Sequence, residues 1–257
     1  MLRQLHYVAV SFLLFVAGPV PADEISVAPG NGTLAAAVAA AADGDTLILT
    51  DGAFYGAVTI DRSLTIRPLT RSTDALIDAA VSIAGEGISV TLQGLKFSQN
   101  VELYQAASVR LLENTWVAGS VNANSYRTDE GDGSLYVVGN EFSSGSILNV
   151  STDNAYIAGN VLLNGAINTL STVWIVGNDV RRAGSRGINA TGGGATVRIL
   201  GNRVECALGN SFQCLYSSAS SVLIAGNIVT IDYRAEVMMP CTGFKQPGPD
   251  LRRFSIT

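Results

Sequence analysis

The sequence is poor in the side chains that most often transfer protons or bind metals. It contains one histidine, His6, and two lysines, Lys96 and Lys245, and only 14% of its 257 residues are charged. Its 47% hydrophobic content excludes a disordered chain. The formal net charge of −5 argues against nucleic acid as the main partner.

No segment is apolar over the roughly 20 residues that a membrane-spanning helix needs. The apolar stretch 7–17 is shorter, follows Arg3 and precedes small residues ending at Ala22, as in a secretory signal peptide. We therefore predict a signal peptide over residues 1–22 and export to the periplasm or the medium; the alternative is a buried strand or an uncleaved anchor. Cleavage would remove His6, which excludes imidazole-dependent triads and imidazole-ligated zinc sites.

Cysteine is also scarce, with Cys206, Cys214 and Cys241. In an exported chain Cys206 and Cys214 could close the short loop between them, which would leave Cys241 unpaired. The alternative is that all three stay reduced, because connectivity does not follow from sequence.

One short phrase recurs, in which an alternating apolar stretch is followed by Gly-Asn or a close variant. Its asparagines are separated by 26, 20, 18, 24 and 25 residues: Asn114, Asn140, Asn160, Asn178, Asn202 and Asn227. Alternation indicates strands, and Gly-Asn is a turn signal. Two further short apolar segments follow each turn. Units of this length with three strands each predict a right-handed parallel β-helix whose asparagines stack from turn to turn.

The chain divides into four parts on this pattern. The signal peptide precedes an N-terminal cap over 23–44, the coil spans 45–232, and an irregular tail over 233–257 covers the other end. The cap contains an Ala-rich helix that we expect to begin at Thr33 as N-cap.

The helix is followed by DGDTLILTDGAFYGAVTIDRSLTI at 43–66 and then by the Gly-Asn units. This arrangement resembles the right-handed parallel β-helix superfamily of pectate lyase-like proteins over residues 33–232. The resemblance implies an all-β solenoid and a polysaccharide ligand. The lyase and hydrolase signatures of that superfamily are missing here: there is no Arg-x-Pro-x-x-Arg and no Asp-Asp pair. The resemblance therefore implies the fold and leaves the activity open.

An acidic segment lies in the longest insertion between strands, at Asp129, Glu130 and Asp132. Carboxylates are calcium ligands, so this segment is a candidate Ca²⁺ site. The alternative is a solvated acidic loop.

An arginine-rich segment follows Asn178 and contains Arg181, Arg182 and Arg186. Guanidinium groups bind carboxylates in bidentate fashion, so the segment could hold uronic acids. In a lyase, Arg182 or Arg186 would lie near the scissile bond, and Asp153 would help to hold calcium. The alternative is a surface segment that balances nearby carboxylates.

Aligned units place one outward position of the first strand in a vertical column. The column contains Arg110, Tyr136, Tyr156, Trp174, Arg198 and Leu223. Aromatic faces on successive turns can stack on the rings of a sugar chain, and they can equally stabilise the sheet by contacting one another.

The third strand of each unit presents a second outward column, containing Asn122, Leu148, Asn168, Asn189 and Tyr216. In catalytic relatives this face forms the floor of the groove. Neutral amides bind hydroxyl groups and do not act as general acids or bases. The sequence thus favours an exported, non-catalytic polysaccharide-binding or cell-envelope module; the alternative is a calcium-dependent lyase on a uronic-acid polymer.

Overall fold

A computed structural model describes residues 22–104, 106, 108–123, 134–144, 147–150, 154–183, 187–192, 195–207, 214–232 and 252–256. These residues contain one helix, α1 (Thr33–Ala40), and three β-sheets. Strands are numbered in chain order across the sheets.

Sheet 1 contains ten strands of the described chain, all paired in parallel. They are β1 (Glu24–Val27), β3 (Thr46–Leu49), β6 (Leu64–Pro68), β9 (Ser89–Gln93), β12 (Ser108–Leu112), β15 (Ser134–Val138), β18 (Asn154–Ala158), β21 (Val173–Val176), β24 (Thr196–Leu200) and β27 (Ser221–Ala225).

Sheet 2 contains eleven strands of the described chain. They are β2 (Gly30–Asn31), β4 (Gly52–Tyr55), β7 (Ala75–Asp78), β10 (Lys96–Phe97), β13 (Thr115–Trp116), β16 (Glu141–Phe142), β19 (Val161–Leu163), β22 (Asp179–Ala183), β25 (Arg203–Ala207), β28 (Asn227–Asp232) and β29 (Arg252–Ile256). Its pairs are parallel except β28 with β29.

Sheet 3 contains eight parallel strands of the described chain. They are β5 (Val58–Ile60), β8 (Val81–Ile83), β11 (Val101–Leu103), β14 (Val121–Asn122), β17 (Ile147–Val150), β20 (Ile167–Thr169), β23 (Ile188–Ala190) and β26 (Leu215–Ser217). Each complete turn of the coil supplies one strand to each sheet, and each strand pairs with its equivalent one turn later; the first turn, β1–β2, and the last, β27–β28, have no sheet 3 strand among the described residues. The chain folds as a right-handed parallel β-helix, as predicted.

The corner between sheets 1 and 2 explains the recurring Gly-Asn. The glycine takes a left-handed conformation, with φ of 61° at Gly159 and 62° at Gly177, which side chains with a Cβ adopt at a cost. One corner lacks the glycine, and there Glu113 takes φ of 54°. The chain therefore passes from sheet 1 to sheet 2 within about two residues at these corners, and the asparagine side chain is buried.

The six predicted asparagines form one buried ladder, which confirms the stacking. The side-chain amides of the first five each donate to the Oδ1 atom of the next asparagine at 2.9–3.1 Å. The same Oδ1 atom accepts the preceding asparagine's backbone N–H at 2.8–3.0 Å. Each amide also donates to a sheet 1 carbonyl of the preceding turn. Buried amides with so many partners lock neighbouring turns into one register.

Inside the coil, three aromatic rings form a second buried column. Phe97, Trp116 and Phe142 occupy paired positions of β10, β13 and β16 and are fully buried. Ring centroids are 4.8 Å apart for Phe97–Trp116 and 4.6 Å for Trp116–Phe142, and the planes are within 18° of parallel. Sequence analysis did not identify this inner stack.

Helix α1 covers the N-terminal end of the coil. Leu34 and Val38 are buried on its inner side, and the helix contacts β1, β2, β4 and β5. The predicted N-cap is wrong: Gly32 caps the helix, and the Thr33 hydroxyl donates instead to the Gly30 carbonyl. Gly32 with φ of 72° turns the chain without a capping side chain, so Thr33 becomes the first helical residue.

Asp45 fastens this cap to the first turn. Its carboxylate oxygens accept the backbone N–H groups of Asp23 at 2.9 Å and Ala42 at 2.8 Å. These hydrogen bonds hold the pKa of Asp45 below its ordinary value.

The C-terminal end differs from the irregular covering that the sequence predicted. Residues 252–256 form the regular strand β29, which pairs antiparallel with β28, while 233–251 lie outside the described residues. Cys206 and Cys214 form a disulfide with a Cα–Cα distance of 5.9 Å, which joins β25 to the start of β26. Cys241 lies outside the described residues. No described helix is long and apolar enough to cross a membrane.

Candidate functional site: the outer face of sheet 1

The outward column predicted from the aligned units is present on sheet 1. Strand register pairs Arg110 with Tyr136, Tyr136 with Tyr156, Tyr156 with Trp174 and Trp174 with Arg198. We call these five residues the aromatic stripe. Leu223 follows Arg198 in the same register and is exposed. Because adjacent strands lie about 4.8 Å apart, the stripe extends about 19 Å along the coil axis.

Neighbours in the stripe contact one another at an angle. Ring centroids are 6.3 Å apart for Tyr136–Tyr156 and 6.4 Å for Tyr156–Trp174, with interplanar angles of 55° and 53°. An arginine lies over a ring at each end: the guanidinium of Arg110 is 5.5 Å from the Tyr136 centroid, and that of Arg198 is 4.4 Å from the Trp174 centroid. The tilt leaves ring surface open to solvent, and Trp174 is 43% exposed.

A shallow groove of about 500 Å³ follows the stripe. One side is formed by the rings of Tyr136, Tyr156 and Trp174, and the other by small polar side chains two residues earlier on each strand: Ser134, Asn154 and Thr172. Hydroxyl and amide groups beside aromatic rings give a surface that binds both the apolar faces and the hydroxyl groups of a sugar.

The two arginines of the stripe differ from most other described cations. Arg62, Arg67, Arg71, Lys96, Arg181 and Arg203 each lie within ion-pair distance of a carboxylate. Among the residues that the structure describes, no carboxylate forms an ion pair with Arg110 or Arg198. Within the described chain each of these charges faces an aromatic ring, which leaves it available to an anion.

No family model matches the chain, and no curated protein matches it. Among solved structures, a PL6 family alginate lyase is similar, with a TM-score of 0.41 and 16% sequence identity. The match covers 87% of this chain and 41% of that chain, so this chain spans less than half of the lyase's length.

The outer column of sheet 3 contains a carboxylate that sequence analysis missed. Glu102 of β11 pairs in register with Asn122, which pairs with Leu148. Asn168 pairs with Asn189, and Asn189 with Tyr216. A register shift between β17 and β20 separates the two halves of this column, so it is not the continuous neutral face that we predicted. The segment 101–103 lacks the recurring phrase, which is why its strand was overlooked.

Two residues of the arginine-rich segment, Arg181 and Arg182, lie on sheet 2, away from the stripe. Arg181 belongs to strand β22 rather than to a loop, and its Nε and Nη2 atoms donate to Asp179 Oδ2 at 2.9 and 2.5 Å. These hydrogen bonds raise the pKa of Arg181 above its ordinary value, which disfavours a role as a base. Arg182 is exposed in a β-bulge with φ of 51°.

The remaining predicted ligands and lyase residues lie outside the described residues: Asp129, Glu130, Asp132, Asp153 and Arg186. Within the described chain, no group of three His, Cys, Asp or Glu side chains is placed to hold a metal ion. The Ca²⁺ site and the catalytic arginines therefore stay predictions.

Proposed function

We propose that the protein is a non-catalytic module that binds a linear acidic polysaccharide along the aromatic stripe. The observation that carries the proposal is the unbroken Arg-Tyr-Tyr-Trp-Arg column beside a groove with a polar wall. A long ligand fits this geometry better than a compact one, because the contacts repeat with every turn of the coil.

The spacing of the stripe suits an extended sugar chain. One ring is offered per turn, about every 4.8 Å along the axis, and this step is close to the advance of one sugar unit in an extended chain. Sugar faces would pack on Tyr136, Tyr156 and Trp174, while Ser134, Asn154 and Thr172 would bind hydroxyl groups.

The charge of the stripe favours an acidic ligand. Arg110 and Arg198 lie over the outermost rings without an ion-pair partner among the described residues. A carboxylate on the polymer would form charge-assisted hydrogen bonds with these guanidinium groups. Binding should therefore weaken as salt is added, because exposed charges are screened.

Catalysis is not supported by the chemistry of this face. Proton abstraction from a sugar requires a group whose pKa lies near the working pH. The stripe consists of phenol, indole and guanidinium groups, and its polar wall consists of hydroxyl and amide groups. Among the described residues of this face there is no imidazole, carboxylate or lysine, the side chains that most often act as general acids or bases.

Affinity electrophoresis tests the proposal with the mature chain in gels that contain alginate, pectate or a neutral glucan. We expect retardation by the acidic polymers, its loss in Trp174→Ala, and its retention in Tyr55→Ala. Tyr55 is the matched control because it is an aromatic residue away from the stripe with a similar exposure of 47%.

Two results would overturn this function. Equal retardation of Trp174→Ala and the wild type would remove the stripe from binding. A rise in ultraviolet absorbance from unsaturated chain ends, during incubation with an acidic polymer and Ca²⁺, would show a lyase instead.

A further inference from the structure

A second cleft lies near the N-terminal end of the coil, at the corner between sheets 1 and 2. Most later corners on this edge consist of two residues, but the corner between β6 and β7 contains six, Leu69–Asp74. This longer corner stands out over the two turns that follow it. It encloses a cleft of about 570 Å³ with Gln93 and Lys96 of the next turn and Glu113 and Thr115 of the turn after.

Hydrogen bonds hold the long corner in one shape. The backbone N–H of Leu69 donates to the Leu49 carbonyl at 2.9 Å, and the N–H of Thr73 donates to the Thr70 carbonyl at 3.1 Å. The Thr70 hydroxyl also bonds the hydroxyl groups of Ser72 and Thr73. The cleft is therefore formed in advance of any ligand, which lowers the entropic cost of binding.

Three cations from different elements line this cleft: Arg67 from β6, Arg71 from the long corner and Lys96 from β10. Glu113 is the only carboxylate among its lining residues in the described chain. Two further carboxylates, Glu24 and Asp74, lie beside the lining and pair with Arg67 and Lys96, so each of the three cations has one acidic partner.

The present partners of these cations are easily exchanged. Arg67 pairs with Glu24 at 3.0 Å, Arg71 with Glu113 at 3.4 Å and Lys96 with Asp74 at 2.8 Å. Each pair is exposed and rests on one contact, and exposed pairs of this kind contribute little to stability. An anion that reached all three cations at once would form more charge-assisted hydrogen bonds than it displaces.

We propose that this cleft binds a compact tetrahedral oxyanion, a phosphate or sulfate group. Cations that reach one cleft from β6, the long corner and β10 suit an anion with oxygen atoms in several directions, and each of the two guanidinium forks can bind two of these atoms. The bound anion would replace the carboxylates that now pair with these cations. The site is separate from the aromatic stripe and does not depend on the polysaccharide proposal.

Isothermal titration calorimetry at constant ionic strength tests the site on the intact chain. The probes are inorganic phosphate, inorganic sulfate and a monosaccharide sulfate, with acetate as the carboxylate comparison. We expect saturable binding of the tetrahedral anions and none of acetate. Tighter binding of the monosaccharide sulfate than of sulfate would assign the group to a sugar ester, and equal binding would assign it to the free anion.

Charge-neutral variants locate the binding. Arg71→Gln and Lys96→Gln should each weaken binding about fivefold, because each removes one charge-assisted contact. Arg71 is 91% exposed, so its replacement leaves the fold intact. Arg203→Gln is the matched control, since it removes an exposed, ion-paired cation from sheet 2 outside the cleft. Glu113→Gln should strengthen binding, because it frees Arg71 and removes a negative charge from the lining.

The proposal fails if no anion binds saturably, or if Arg203→Gln weakens binding as much as Lys96→Gln does. The second outcome would indicate general charge screening. Lys96→Gln should leave retardation by acidic polymers unchanged. The two experiments therefore distinguish a failure of the anion-site proposal from a failure of the polysaccharide proposal.

Discussion

The coil contains two columns of aromatic rings that obey the same one-residue-per-turn repeat and differ in every other respect. Inside, Phe97, Trp116 and Phe142 stack nearly parallel with centroids less than 5 Å apart. Outside, Tyr136 and its neighbours are tilted and more than 6 Å apart, and arginines lie over the end rings. The backbone spacing is shared, so the difference comes from what surrounds each column.

Packing from both sides holds the inner rings face to face, and their surface is lost to solvent. The outer rings have a solvent side, so they tilt, and part of their surface stays open. One repeating position in a β-helix thus produces either core or solvent-exposed surface, depending on which way its side chain points.

The largest effect is expected inside the coil. Trp116→Ala should lower the free energy of unfolding by about 3–5 kcal/mol, because it leaves a cavity between two rings that cannot close over it. Denaturant unfolding of the purified variant measures this loss. If Trp116→Ala is too unstable to purify, Trp116→Phe takes its place and should lower the free energy of unfolding by a smaller amount. An unchanged free energy of unfolding in Trp116→Phe would mean that the stack contributes little to stability.

A smaller effect is expected in the asparagine ladder. Asn160→Ala should lower the free energy of unfolding by about 1–3 kcal/mol. The change removes the acceptor of the Asn140 backbone and amide N–H groups and leaves these donors buried. The measurement is again denaturant unfolding, and a neutral result would show that water replaces the lost contacts.

The smallest effect on stability is expected in the stripe. Trp174→Ala should lower the free energy of unfolding by about 1 kcal/mol or less, since its ring is partly exposed and contacts neighbours only at an angle. Thermal unfolding beside Tyr55→Ala gives the comparison. A loss as large as that of Trp116→Ala would make the stripe a structural ladder and would remove the contrast between the columns.

Much of this architecture could be predicted from the sequence, because the asparagine marks the same corner in six units. Once Asn140 and Asn160 are aligned, the outward position of Tyr136 and Tyr156 follows from strand alternation. The inner stack had a signal as well: Trp116 and Phe142 each stand two residues after a ladder asparagine.

The cationic cleft could not be predicted in the same way. It depends on how far the corner 69–74 reaches over later turns, and that corner carries no repeat from which to align it. Arg71 and Lys96 are 25 positions apart in sequence and meet only because the coil advances one strand per turn. Repeats predict the features that all units share. The cationic cleft lies where one unit differs from the others, at the six-residue corner 69–74.

The two-residue corner has a consequence for how such a protein can change over time. Since each winding between Asn114 and Asn227 begins and ends on a hydrogen-bonded asparagine, such a winding can be duplicated or deleted without disturbing either terminus. Duplication of the winding between Asn160 and Asn178 would add one ring to the outside and one rung to the inside. The length of the outer stripe along the coil axis can thus change with the number of windings, while each winding keeps its own sequence.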